Sequence, residues 1–289
     1  MMTDLFGKIR YKVNLHTHTS LSDGRKSPAE VLQRYRDQGY DAIALTDHWF
    51  CGTSGEEDGI TVLSGCEYNV GGSDCATGVY HILGIGMTRQ PSVTKHQSAQ
   101  EIIDRIHEAG GLVILAHPAW SLNTPDMLIA LKGIDATEIY NSVSEVHHSR
   151  RGDSSLIVDM LGCRGCYLPL VASDDAHYYD GSDDCVSWIM AEAEDNTREA
   201  LMRAIRRKQF YATQGPEVHL RRDGNGYRVQ CSPVSEIVFL SNFAWCPRVF
   251  EGEGITEAYY EPKEGETFLR VQVKDQNGKR AWTNILPLE

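Results

Sequence analysis

Histidines and carboxylates recur in this chain where the strands of a parallel sheet would end. The opening example is His16-Thr17-His18, which closes the apolar run Val13–His18. Because side chains alternate faces along a strand, His16 and His18 project from one face, roughly 7 Å apart. Two neutral imidazoles on a rigid strand are half of a metal site. The later members of the set are Asp23, His48, Glu67, His81, His117, Asp175 and His177.

This ligand set indicates metal-dependent chemistry at phosphorus. Imidazole and carboxylate together suit Zn, Mn or Fe, and a set larger than four suits more than one ion. A glutamate such as Glu67 can bridge two ions, one oxygen to each. Paired ions about 3.5–4 Å apart activate water and clamp an in-line displacement at phosphorus.

Each piece of the set has an ordinary explanation when it stands alone. A His-X-His strand arises by chance, and the Asp47 that precedes His48 could cap a helix. His117 and His81 could be buried structural histidines, and His81 begins its apolar run instead of ending it. The metal interpretation is favoured because six histidines and three carboxylates fall in or beside successive strands.

The elements that must position these residues alternate between strands and helices. Apolar runs predict strands at 12–18, 41–47, 60–67, 79–86, 112–117, 135–140 and 168–173. Capped or amphipathic segments predict helices at 28–39, 99–109, 126–132, 149–161 and 197–208. This alternation predicts an α/β fold with a parallel sheet. Seven strands favour a closed or distorted (β/α)7 barrel, whose functional residues collect at the carboxyl ends of the strands.

The character of the chain changes after residue 215. Helical periodicity vanishes, and short strands are predicted at 227–231, 236–240, 268–273 and 282–285. We therefore predict a barrel over residues 1–215 and a small antiparallel β appendage over residues 216–289.

The composition of the chain disfavours long nucleic acids and membranes as binding partners. The 289 residues carry a net charge of −12, which disfavours binding to long nucleic acids because that binding depends on phosphate neutralisation. No apolar run approaches the ~18 residues of a membrane span. The eight cysteines are scattered and no export signal is visible, which predicts reduced thiols and a cytoplasmic location.

The ordered motifs resemble those of the polymerase-and-histidinol-phosphatase (PHP) superfamily of metal-dependent phosphoesterases. The resemblance covers about residues 11–215. Its four main motifs are similar to His16-Thr17-His18 with Ser22-Asp23-Gly24, Thr46-Asp47-His48, Ala116-His117-Pro118, and Ser173-Asp174-Asp175-Ala176-His177. The family's glutamate and histidine segments resemble Gly65-Cys66-Glu67 and His81-Ile82-Leu83-Gly84.

The resemblance implies a distorted seven-stranded barrel that holds two to three divalent ions, with Mn, Zn and Fe all found among members. It implies three ligand sets, which are His16, His18, Glu67 and Asp175; then Glu67, His81 and His117; and then Asp23, His48 and His177. A hydroxide bridging the first two ions would attack the phosphate in line. The implied catalytic residues are the bridging Glu67 and, for proton delivery to the leaving alkoxide, Asp47 or His177.

Other residues near the strand ends could support the ligands or bind substrate. Asp47 and Asp174 either accept the outer N–H of a metal-bound histidine or cap helices. Glu138 and Asn141 would face the same mouth, where they either bind substrate or satisfy loop backbone.

The segment that contains His148, Arg150 and Arg151 is the strongest sequence candidate for phosphate docking, because arginine pairs with two phosphate oxygens at once. The alternative is a solvated loop. A second basic run at 203–208 lies on a predicted helix, and we expect it to be a surface face.

Three functions remain open from the sequence. The leading hypothesis is hydrolysis of a small phosphomonoester, with phosphate as a product. The second is a nuclease or phosphodiesterase that acts on short oligonucleotides or nucleotides. The third is a metal-bound binding module without activity. The sequence does not indicate the oligomeric state.

Overall fold

The computed structural model describes residues 1–57, 59–72, 78–245 and 248–288. The helices are α1 (Pro28–Asp37), α2 (Ala99–Glu108), α3 (Pro125–Ala130), α4 (Ser155–Cys163) and α5 (Arg198–Arg206). A π-helical turn spans Ser144–His148. The strands are β1 (Met2–Thr3), β2 (Ile9–Asn14), β3 (Ala42–Ala44), β4 (Gly55–Glu57), β5 (Ile60–Leu63), β6 (Gly65–Gly71), β7 (Val79–Ile85), β8 (Leu112–Leu115), β9 (Ala136–Asn141), β10 (Leu170–Ser173), β11 (Trp188–Glu192), β12 (Phe210–Thr213), β13 (Val218–Asp223), β14 (Gly226–Leu240), β15 (Val249–Tyr260), β16 (Phe268–Lys274), β17 (Arg280–Trp282) and β18 (Leu286–Pro287).

The helices begin where the capping residues predict. Ser27 and Glu30 form a complete capping box at α1, and Ser98 and Glu101 form another at α2. The helix predicted at 149–161 starts later, because the π-helical turn and an irregular loop precede α4. The other four predicted helices are confirmed.

The strands form two mixed sheets, which confirms the α/β class but not the all-parallel sheet. The larger sheet runs β13-β14-β16-β17-β12-β11-β2-β3-β5-β4, and the smaller runs β10-β9-β8-β7-β6. Within the described residues, parallel pairs are confined to β2/β3, β3/β5, β8/β9 and β9/β10. Strand pairing among the described residues leaves two sheets and no closed ring. Because a helix does not follow every strand, the strict (β/α)7 repeat is not confirmed.

The two sheets nevertheless enclose one core and meet at the edge that carries the candidate ligands. Val13, Leu83, Ile114 and Val171, from both sheets, belong to one buried cluster, into which α5 packs. Isolated bridges join Thr17 to Ala176, and His48 to Glu67. The segments that follow β2 and β3 therefore lie beside the segment that follows β10 and beside the first half of β6, respectively.

The position of His81 follows from the direction of β7. This strand is antiparallel to both β6 and β8, so its beginning lies at the edge where its neighbours end. The amide of Ala116, just past the end of β8, donates to the carbonyl of His81 at 3.0 Å. His81 therefore reaches the shared edge although it opens its strand.

The C-terminal residues form antiparallel strands, as predicted, but they continue the larger sheet through the β12/β17 pair. The strands predicted at 227–231 and 236–240 form one strand, β14, which continues through Ser232-Pro233 with a shift of register against β15. Arg270 of β16 is buried and pairs with both oxygens of Asp159 in α4, at 2.6 and 2.7 Å. The division of the chain at residue 215 stays a prediction.

Two further sequence expectations concern the cysteines and the membrane. Cys51, Cys66, Cys163, Cys166, Cys185 and Cys231 are all free thiols. Cys75 and Cys246 lie outside the described residues. Within the ranges given above, no helix is long and apolar enough to cross a bilayer.

Candidate metal centre

The structure brings all nine sequence-predicted ligands together in three overlapping groups. Within each group, the candidate ligand atoms lie within 4.8 Å of one another. The groups are His16, His18, Glu67 and Asp175; Glu67, His81 and His117; and His18, Asp23, His48 and His177. They match the three implied ligand sets, except that His18 also joins the third.

Glu67 is shared by the first two groups and is almost completely buried. Its Oε2 lies 2.9 Å from His18 Nε2 and 3.2 Å from His16 Nε2. Its Oε1 lies 2.7 Å from His81 Nδ1 and 3.5 Å from His117 Nε2. One carboxylate therefore offers an oxygen to each group, which is the geometry of a bridging ligand.

Asp175 supplies the test of whether these residues fit a metal ion. Its Oδ1 lies 3.0 Å from His16 Nε2 and 3.1 Å from His18 Nε2, yet it is buried and lacks a hydrogen-bond partner. An orphaned carboxylate oxygen facing two ring nitrogens fits a divalent cation. Asp175 and His117 have positive φ angles, 53° and 27°, which are strained for such residues and typical of functional sites.

Glu138 lies behind the ligands and does not face the mouth of the site. Its Oε1 accepts the Nδ1–H of His16 at 2.8 Å, so Nε2 faces the shared centre and can offer its lone pair to an ion that displaces its proton. Its Oε2 accepts from the amide of His117 at 2.8 Å and from Asn141 Nδ2 at 2.7 Å. Glu138 and Asn141 are both buried, and Asn141 Oδ1 accepts from the amide of Ser144 at 3.0 Å. These bonds to backbone amides favour the alternative that the two side chains satisfy loop backbone over the alternative that they contact substrate.

Asp47 also lies away from the mouth. Its carboxylate accepts from the amide and hydroxyl of Thr19, both at 2.8 Å, and from the hydroxyl of Ser22 at 2.7 Å. The Ser22 hydroxyl is in turn 3.3 Å from His18 Nδ1. Asp47 therefore holds the loop that follows His18. Because its carboxylate is committed to these bonds, the structure gives no support to direct proton delivery by Asp47.

Asp174 is a buried anchor and contacts no candidate ligand histidine. Its oxygens accept from the backbone amides of residues 185–187 at 2.8–2.9 Å, and from Tyr35 and Asn14. Burial raises the pKa of Asp174 to about 7, although these hydrogen bonds oppose the shift. The alternatives of helix capping and histidine orientation are both replaced by this loop-anchoring role.

The groups open into a pocket of about 460 Å³. The pocket is lined by Asp23, Arg25, His48, Glu67, His81, His117, Trp120, Ser144, His148, Asp175, His177 and Tyr178. Sequence reasoning found His148 but missed Arg25, Trp120, Ser144 and Tyr178. Two of these had a signal, since Arg25 is two residues beyond Asp23 and Tyr178 directly follows His177.

Arg150 and Arg151, the predicted phosphate-docking pair, are exposed and do not line this pocket. Arg150 donates instead to the carbonyl of Glu145 at 3.3 Å. The solvated-loop alternative describes these two arginines better.

Histidines and carboxylates at the centre stabilise each other's charged forms. Burial alone would lower the pKa of His16, but the carboxylates of Asp175, Glu67 and Glu138 raise it to about 10. Burial would likewise raise the pKa of Asp175, yet His16 and His18 hold it well below its ordinary value. Divalent ions bind neutral imidazole and so compete with these protons, which makes metal affinity rise with pH.

A comparison with protein families decides the family of this chain. The PHP domain model matches residues 13–264. The chain belongs to the PHP domain family. The prediction of a metal-dependent phosphoric ester hydrolase is thereby confirmed at the level of the family.

Individual relatives of this PHP protein are distant. A 3',5'-nucleoside bisphosphate phosphatase of Chromobacterium violaceum is 28% identical over 189 residues, which cover 62% of each chain. An uncharacterised protein of Methanocaldococcus jannaschii is 25% identical over 189 residues, covering 63% of this chain and 68% of the relative.

A solved structure shares the fold over the full length. It is a two-domain protein from Bacteroides vulgatus that contains a predicted PHP-like metal-dependent phosphoesterase. It aligns with a TM-score of 0.55 at 15% identity and covers 100% of this chain and 97% of its own. At this identity the likeness shows the fold alone.

Proposed function

We propose that this PHP protein hydrolyses small phosphomonoesters with two to three divalent ions, Mn, Zn or Fe, held by the three residue groups. The observation that carries the proposal is the position of Glu67, with one carboxylate oxygen toward each of two histidine groups. Divalent ions at such a site neutralise phosphate charge and lower the pKa of water toward about 7. A pocket of about 460 Å³ suits a small substrate.

In this proposal, neighbouring side chains fix the orientation of the imidazole rings of His16 and His18. Glu138 holds the proton of His16 at Nδ1, and Ser22, backed by Asp47, lies beside Nδ1 of His18. Both Nε2 atoms are then free to face the centre. Because these partners are buried or anchored, little reorganisation is needed when substrate binds.

His177 is better suited to the third ligand group than to proton delivery. Its Nδ1 lies 2.6 Å from the carbonyl oxygen of Asp175, so that nitrogen carries the proton. Its Nε2, the ring nitrogen left for an ion, lies 3.4 Å from Asp23 Oδ1 in the third group. We therefore propose His177 as a ligand together with Asp23 and His48.

The substrate class is supported by one named relative. The Chromobacterium violaceum relative is a phosphatase of 3',5'-nucleoside bisphosphates, which are small phosphomonoesters. The net charge of −12 adds to the case for a small substrate over a long nucleic acid.

The direct test is hydrolysis of p-nitrophenyl phosphate by protein loaded with Mn²⁺, Zn²⁺ or Fe²⁺. We expect His16→Ala and Asp175→Ala to lower kcat/KM by more than about 100-fold, since even the outer partners of metal ligands are worth 10–100-fold. His96→Ala, an exposed histidine outside the pocket, is the matched control and should keep full activity. Equal activity in all four proteins would refute the proposal.

Two further measurements separate the alternative functions. Elemental analysis of the purified protein should find two to three ions per chain, and His16→Ala should bind fewer. Hydrolysis of bis(p-nitrophenyl) phosphate without hydrolysis of the monoester would favour the nuclease. A metal-loaded protein that hydrolyses neither ester would favour the binding module.

A further inference from the structure

Arg25 is fixed at the pocket wall by its backbone. A Cβ on the preceding residue, Gly24, would lie 2.5 Å from the carbonyl oxygen of His18, so only glycine lets the loop cross this closely. The amide of Arg25 donates to the carbonyl of His177 at 2.8 Å. The backbone at Gly24 and Arg25 thus contacts the backbone of two candidate ligands, His18 and His177.

The side chain of Arg25 rests on an aromatic stack. Its guanidinium carbon lies 4.5 Å from the ring centroid of Tyr178. Tyr178 stacks on His147 with centroids 4.0 Å apart, and His147 Nε2 lies 2.8 Å from the Ser182 hydroxyl. A guanidinium stacked on a supported ring is preorganised and loses little freedom when it binds a ligand.

The charge of Arg25 is uncommitted. Across the part of the chain that the structure describes, no carboxylate lies within 4.0 Å of its guanidinium, whereas Arg34 pairs with Asp184 at 2.6 Å and Arg10 with Asp4 at 2.9 Å. Among the described residues that line the pocket, Arg25 is also the one lysine or arginine. A free arginine in a binding pocket indicates an oxyanion as its partner.

We propose that Arg25 binds a second oxyanion of the substrate, carried on the leaving group and separate from the phosphate that is hydrolysed. Ions held by the three ligand groups would already bind the reacting phosphate. The guanidinium of Arg25 is then available to bind another anionic group. The substrate class is then a small phosphomonoester that bears a second phosphate or a carboxylate. This inference rests on the proposed phosphomonoesterase activity.

The experiment measures a substrate preference. One pair of substrates is adenosine 3',5'-bisphosphate and adenosine 3'-phosphate, and the second pair is 3-phosphoglycerate and glycerol 1-phosphate. The preference is the ratio of kcat/KM within each pair, with Mn²⁺-loaded protein. The pair in which the wild type shows the larger ratio identifies the second group as phosphate or as carboxylate.

We expect the wild type to prefer the doubly anionic member by at least about 10-fold, and Arg25→Ala to lower that ratio roughly 10–100-fold, because hydrogen bonds to charged groups are worth about 1.5–3 kcal/mol. The loss should lie mainly in KM. Arg25→Lys should retain part of the ratio, since it keeps the charge but loses the planar fork. The control is Arg207→Ala, which removes the same charge from the exposed end of α5.

Three results would overturn the inference. The first is a preference that survives in Arg25→Ala. The second is an equal loss of kcat/KM for both members of a pair in Arg25→Ala, as expected for a contact with the reacting phosphate or for a purely structural role. The third is a preference that is abolished by Arg150→Ala and not by Arg25→Ala. Failure of the proposed function looks different, because the metal-loaded wild type would then hydrolyse none of the four substrates.

Discussion

At the scale of single residues, this site depends on which nitrogen of each histidine carries the proton. Glu138 settles that question for His16 through a 2.8 Å bond to Nδ1, and the same carboxylate binds the amide of His117 at 2.8 Å. A buried carboxylate with partners on both oxygens resists displacement, so the ligands it touches keep their orientation. We therefore propose that Glu138 orients the candidate ligands without entering the pocket.

We predict that Glu138→Gln weakens metal binding. The amide keeps the size of the side chain but removes the charge that raises the basicity of His16. Mn²⁺ affinity should fall about 10–100-fold, as for other outer partners of metal ligands. Titration of activity with Mn²⁺ measures the change, and Glu108→Gln on the exposed surface of α2 is the control. An unaltered affinity in Glu138→Gln would show that the bond to His16 has no such role.

At the scale of elements, the position of Glu67 depends on the close approach of β6 to the end of β3. A Cβ on Gly65 would lie 2.5 Å from the carbonyl oxygen of Leu45 and 2.8 Å from Thr46 Cγ2. The hydroxyl of Thr46 in turn accepts from the amide of Thr17 at 2.9 Å. The segments that follow β2 and β3 and the beginning of β6 are thus linked by close contacts, and these segments carry candidate ligands.

Gly65→Ala should therefore damage both the fold and the metal centre. The methyl group has no space against backbone, so we expect a loss of about 1–3 kcal/mol in the free energy of unfolding and a lower metal content, because Glu67 is two residues away. Urea unfolding and elemental analysis measure the two effects. Gly52→Ala is the control, since a Cβ there meets nothing within 4 Å. Equal losses in the two variants would contradict this account.

At the scale of the whole molecule, the C-terminal strands are joined to the N-terminal segment at His219 of β13. Its Nε2 lies 3.2 Å from Asp4, its Nδ1 lies 3.4 Å from Arg10, and its ring centroid is 3.9 Å from that of Phe6. Burial, with a further contribution from Arg10, lowers the pKa of His219 to about 4, and Asp4 only partly opposes this. The folded protein therefore holds His219 neutral.

This neutral histidine predicts a loss of stability in mild acid. As pH falls below about 6.5, the unfolded chain takes up the proton while the folded chain does not until about pH 4. The His219 contribution to the free energy of unfolding should fall by about 2 kcal/mol between pH 7.5 and 5. Urea unfolding of wild type and His219→Gln measures it, because the variant should lack this part of the pH dependence. His96→Gln should behave as the wild type, and a parallel pH profile for His219→Gln would refute the assignment.

The residue types of the centre and the order of its candidate ligands along the chain follow from the amino-acid sequence alone. His117 and Asp175 lie just past the ends of β8 and β10, where functional residues collect in α/β folds. The strands predicted at 12–18 and 60–67 are wrong at their ends, because β2 stops at Asn14, before His16 and His18, and Glu67 lies inside β6. The starts of helices α1 and α2 could also be predicted from the sequence, because each capping box lies within four consecutive residues.

The surroundings of those candidate ligands depend on how distant segments pack together in the folded chain. The direction of β7 placed His81, and the approach of distant loops gave Asp47 to Thr19 and Ser22, Glu138 to His16, and Arg25 to the pocket wall. These contacts join segments that are far apart in the sequence. The partner of a charged side chain therefore depends on which distant segment packs against it. Local sequence fixes a residue's chemistry, whereas the choice between ligand, support and surface depends on contacts that no short segment contains.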